Sequence, residues 1–187
     1  MSNSDIVVPE KQKNRFYFTN QEIAKLAAFF ALWMVFEVVW LAGPIVGNLV
    51  YGIFAGIVLI SAARVVGKKY TILTLGIVKT IGELFFAHMY GGTLAALSFL
   101  AAAIVLEMIL RLSSPYGDNL KINVLGAAIS GFAGSLAFVF IIVWIYGMVL
   151  PQWIIIARIL VPIIPYTIGG FLGYKIGNRV KNVVESV

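Results

Sequence analysis

Residues 70–90 read YTILTLGIVKTIGELFFAHMY, an apolar run broken by Lys79, Glu83 and His88. Its length is about what an α-helix needs to cross roughly 30 Å of hydrocarbon. Yet it carries a cation, a carboxylate and the only histidine of the chain. Ionisable side chains at such depth are costly, so they normally face the interior of a bundle and act on something. Lys79 and Glu83 are four residues apart, which puts them one turn from each other on one helix face.

The remainder of the chain has the same character. Its 187 residues are 61% hydrophobic and only 12% charged, with a mean hydropathy of +0.98, whereas a soluble domain is about 25% charged. This composition predicts an all-α integral membrane protein, a single bundle with room for about six transmembrane helices and no separate domain holding its own core. Cysteine is absent, which excludes disulfides, thiolate nucleophiles and Cys-ligated metals. The polar opening at residues 1–14 has no apolar core of a signal peptide, so none is expected.

Expected spans follow from the apolar runs and their punctuation. Thr19 and Glu22 have capping-box spacing, which starts the first span at 20 and ends it near 42, before the tight turn Gly43-Pro44. The second covers 44–63 and the third 70–90, closed by Gly91-Gly92. The fourth covers 93–110, the polar turn 113–119 supplies an N-cap, and the fifth covers 122–146. The sixth covers 152–174, and Pro162 and Pro165 should kink or break it. Residues 1–18 and 181–187 are then polar segments flanking a helical domain at 19–180.

Charge placement tests this outline. Lys11, Lys13, Arg15 and Lys25, then Arg64, Lys68 and Lys69, then Arg111 and Lys121, and finally Lys175, Arg179 and Lys181 fall at one face, while the alternate loops carry no charge. The positive-inside rule puts both termini in the cytoplasm of a multi-pass cell-membrane protein. It also accounts for the net charge of +6 without a nucleic-acid partner. Only Lys79 and Arg158 of the fourteen basic residues fall outside this pattern, deep within spans.

At 1.5 Å per residue, Glu83 and Arg158 lie roughly 10 Å and Glu37 about 8 Å from the uncharged edge, with His88 near that lip. Two readings stand side by side. Lys79 with Glu83, and Glu37 with Arg158, pair only to neutralise buried charge; or these groups line a pocket, open to the outside, that orients a small solute. Glu107 with Arg111, four residues on, reads as an interfacial ion pair. Trp40, Trp144 and Trp153 fall where an aromatic belt puts them, while Trp33 lies deeper. Trp33 and Trp144 join the candidate site as surfaces on which a flat ring can stack, and Tyr90 and Tyr146 border the same turns. Small-xxx-small spacings at Ala24/Ala28, Ala27/Ala31, Gly52/Gly56, Gly126/Ser130/Gly134 and Gly169/Gly173/Gly177 predict close helix packing. The alanine pairs near the charged end of the first span also offer a smooth patch to another membrane protein.

Several chemistries are excluded. There is no GxxxxGK[ST] loop for ATP, one histidine without cysteine argues against a metal hydrolase, and no serine sits beside a plausible base. Neither an enzyme nor a resident cofactor is expected.

Size, six spans, the alanine pairs on the first helix and the run Ala157-Arg158-Ile159-Leu160 leading to Gly169-Gly170-Phe171-Leu172-Gly173 together resemble the substrate-binding S component of an energy-coupling factor (ECF) transporter, in the style of its thiamine-precursor members. The resemblance covers residues 19–180. It implies that Ala24, Ala27, Ala28 and Ala31 dock onto a transmembrane coupling subunit that works with ATPase subunits. It also implies that a vitamin or precursor is captured from outside and released inward. Two other readings are a self-sufficient proton-coupled carrier, with Glu83 or Glu37 as the proton site, and a membrane scaffold whose charges are only structural.

Overall fold

The computed structural model describes residues 17–86 and 93–186, with side chains except at positions 40, 44, 45, 86, 93 and 185. His88, Tyr90, Gly91-Gly92, the basic residues before position 17 and the side chain of Trp40 lie outside what is described. All regular structure among the described residues is helical: α1 (Asn20–Val35), α2 (Pro44–Val66), α3 (Thr71–Phe86), α4 (Leu97–Leu110), α5 (Leu120–Phe140), α6 (Gln152–Leu160) and α7 (Ile163–Glu185).

Local chemistry sets the ends of these helices. The Thr19 backbone N–H donates to Glu22 Oε2 at 2.7 Å and the Glu22 N–H to Thr19 Oγ1 at 3.3 Å, the reciprocal capping box anticipated above. α2 opens with Pro44 at its first position and stops at Gly67, whose φ of +66° is a left-handed C-cap that suits glycine. Asn119 caps α5 through the N–H groups of Lys121 and Ile122.

Four expected spans are locally re-wound. The first continues past Val35 as a 3-10 helix over Phe36–Ala42, and the fourth begins with a 3-10 turn over Thr93–Ala96. The fifth ends in a π-helical turn over Ile141–Ile145. The sixth breaks at residues 161–162, where Pro162 opens α7. Among the described residues, three helices are long and apolar enough to cross a membrane: Val46–Val66, Leu120–Ile145 and Gln152–Val184, with mean hydropathies of 2.2, 2.3 and 1.9; Leu94–Leu110 is shorter and also apolar.

α2 is the centre of the fold, touching α1, α3, α5 and α7, while α4 bridges α3 and α5. Its seam with α7 is made by glycines. A Cβ on Gly56 would fall 2.9 Å from the Gly169 Cα, and one on Gly169 would fall 2.3 Å from the Ile53 carbonyl oxygen, so the backbones touch with no room for a side chain. Gly76 presses equally on Ala103 between α3 and α4.

One end of the molecule gathers charge. Lys68 Nζ bonds Glu22 Oε2 at 2.8 Å. The buried Arg64 donates to Asn178 Oδ1 at 2.7 Å, to the Gly117 carbonyl oxygen at 3.2 Å and to Asp118. Glu107, 2% exposed, accepts from the N–H groups of Tyr70 (2.6 Å), Ile72 (3.2 Å) and Leu73 (3.4 Å). It therefore caps α3 from across the bundle. The Arg111 pair is present at 3.2 Å, and Tyr116 donates its hydroxyl at 2.8 Å. Burial, and secondarily the Glu107 carboxylate, push the Tyr116 phenol up, which keeps it a proton donor. At the opposite end the described turns join through the Leu94 N–H and the Tyr146 hydroxyl, 2.9 Å apart.

Candidate functional site: a lysine held by two carboxylates

Where α1 gives way to the 3-10 segment, the chain delivers Glu37 to the face of α3 that carries Lys79 and Glu83. Lys79 is fully enclosed, and its Nζ donates to Glu37 Oε1 and to Glu83 Oε1 at 2.5 Å each. A lone ammonium so buried would cost several kcal/mol, and the two carboxylates offset that. The formal charges of one lysine and two carboxylates sum to one negative. Their burial is unequal: the Glu37 and Glu83 side chains are 24% and 13% exposed, against 0% for Lys79. The carboxylates are reachable and the cation is not.

Beneath the ammonium lies an aromatic floor. Lys79 Nζ is 5.8 Å from the Trp33 ring centroid and 5.2 Å from that of Phe99, and 3.5 Å from Met34 Sδ. Ring faces attract a cation, more strongly where water is excluded. Trp33, 2% exposed, donates its indole N–H to the Tyr51 hydroxyl at 2.8 Å. The Glu37 carboxylate is in electrostatic reach of that hydroxyl. Tyr166 is in electrostatic reach of both Glu37 and Arg158, and the Arg158 guanidinium rests over the Phe138 ring at 4.8 Å. Thr80 ties α3 to the turn before α4 through the Ala96 carbonyl oxygen, 3.4 Å away.

Of the residues singled out from the sequence, Glu37, Lys79, Glu83 and Trp33 form one cluster, while Arg158 lies over Phe138. Trp144 is elsewhere: it is 77% exposed and stacks on Phe140 at 6.4 Å. The alanines Ala24, Ala27, Ala28 and Ala31 all lie exposed on α1. Sequence reasoning missed Tyr51, Phe99, Met34 and Tyr166. A signal existed for Tyr51, since a hydroxyl midway along an apolar helix needs a partner; Phe99 and Met34 carry none.

Such a cluster can accept hydrogen bonds from a solute, exchange a proton, or hold two segments together. No group of three or more His, Cys, Asp or Glu able to hold a metal occurs among the described residues. No protein-family profile, curated protein or solved structure matches this chain.

Proposed function

We propose that this chain is the solute-binding subunit of an importer of the ECF type, a six-helix multi-pass protein of the cell membrane with both termini in the cytoplasm. Residues 20–42, 44–66, the third span from 71, 94–110, 120–145 and 152–184 are its six crossings. The observation that carries the reading is the enclosed Lys79 held between two carboxylates that remain partly exposed. A structural ion pair needs one carboxylate per lysine, and the second leaves a local negative charge over an aromatic floor. That combination suits a small flat solute bearing N–H donors or a weak positive charge. The exposed alanine face of α1 suits docking onto a coupling subunit that works with ATPase subunits.

A mass-spectrometric inventory of small molecules that co-purify with the wild type, repeated on Glu37→Gln and Glu83→Gln, tests the site. A solute present in the first and depleted in both variants supports the reading; the same inventory in all three refutes it.

One feature favours a second reading, a proton-coupled carrier. Two carboxylates sharing one ammonium become a neutral set when either takes up a proton. Solute accumulation by this chain alone in vesicles with an imposed pH gradient selects that reading, and accumulation only with a coupling module and ATP selects the first.

A further inference from the structure

A groove of about 440 Å³ runs between α5 and α7, walled by Leu120, Val124, Leu125 and Ala128 on one side and Thr167 and Phe171 on the other. The Thr167 hydroxyl donates to its own helix at Ile163 O, 2.6 Å away, so the channel presents hydrocarbon along its length. Its end is different. Lys121, in the first turn of α5, lines the groove. Lys175 folds back over Phe171, with Nζ 4.4 Å from the ring centroid.

The two lysines share a level because α5 and α7 run antiparallel: Gly131 meets Tyr166 and Gly170 meets Ala127. One turn beyond Phe171, α7 therefore comes alongside the first turn of α5. Asp118, the carboxylate closest in sequence to this end, is bonded to Arg64 and does not line the groove. An open apolar groove with Lys121 on its wall and Lys175 folded over Phe171 at its charged end suits a lipid with one acyl chain laid along it and an anionic headgroup on the amines.

We propose that the α5–α7 groove is a binding site for an anionic phospholipid, its phosphate held by Lys121 and Lys175 and an acyl chain lying along Val124, Ala128 and Phe171. This rests on the membrane reading above and is independent of the solute site at Lys79.

The test is native mass spectrometry of the full chain released from vesicles of phosphatidylglycerol and phosphatidylcholine with identical acyl chains. Each basic residue near a membrane surface strengthens attraction to anionic lipid about fivefold. The wild type should therefore retain phosphatidylglycerol preferentially. Lys121→Gln with Lys175→Gln should lower the ratio of the two lipids about thirtyfold. Ala128→Phe, which fills the channel and leaves both amines, should also reduce retention. Lys25→Gln with Lys69→Gln removes equal charge from the same end outside the groove and should leave the preference intact. Equal retention of both lipids by the wild type, an equal loss in the Lys25/Lys69 control, or unchanged retention after Ala128→Phe overturns the site. A chain that enters neither kind of vesicle overturns the membrane reading with it; insertion without headgroup preference overturns this proposal alone.

Discussion

Two carboxylate centres, one at the start of α3 and one further along it, are built to different rules. Glu107 receives five donors: three backbone N–H groups, the Tyr116 hydroxyl and Arg111. It is closed to solvent and has the inventory of a group whose task is to hold a helix end in place. Glu37 and Glu83 share a single ammonium and stay in part exposed. Closure to solvent and the count of donors together separate a carboxylate that holds a helix end from one that remains available.

The comparison is most open to attack at Glu107. Glu107→Ala orphans the opening N–H groups of α3 and the Tyr116 hydroxyl inside the protein, and should cost about 3–5 kcal/mol, read as a large fall in the unfolding midpoint in detergent. A small fall would mean that water replaces the carboxylate and that the centre is not closed.

Lys79→Met comes next, at about 3 kcal/mol, the lower end of the same range, because Glu37 and Glu83 can regain some water. The triple variant Lys79→Met, Glu37→Gln, Glu83→Gln should recover most of that stability without recovering solute binding. Recovery of both would make the cluster purely structural.

Glu83→Gln alone should lower solute affinity ten- to hundredfold, the worth of one charge-assisted hydrogen bond of about 1.5–3 kcal/mol. Its unfolding midpoint should move less than that of Lys79→Met, since Glu37 still holds the ammonium. Unchanged affinity in an isothermal titration would remove Glu83 from the site.

Arg111→Gln should have the smallest effect. Its side chain is 36% exposed and supplies one of five donors to Glu107, so the midpoint should stay within the scatter of the wild type. A clear drop would show that the ion pair, and not the helix cap, is the working part of that centre.

Much of this was legible from residue order. The capping box at Thr19, the break at Pro162, the glycine contacts and the closeness of Lys79 to Glu83 follow from local spacing. The re-winding at Phe36 and Ile141 does not, because an apolar helix carries no periodic mark of where its hydrogen bonding changes from α to 3-10 or π. Counting residues puts Glu37 near the depth of Glu83. Its bond to Lys79 depends on how α1 and α3 lie against each other and on a long flexible side chain reaching between them. Glu107 was read with Arg111 because they are one turn apart; its role at α3 was hidden by a separation of more than thirty residues.

The seam between Gly56 on α2 and Gly169 on α7 bears on temperature. A core assembled by expelling water loses part of its driving force on cooling. In a bilayer, lipid tails are as apolar as the helices, so association rests on close van der Waals contact and weak Cα–H···O bonds between touching backbones. Those attractions do not depend on the structure of water. The α2–α7 pair should therefore keep its cohesion at temperatures where a water-driven core of the same size begins to loosen.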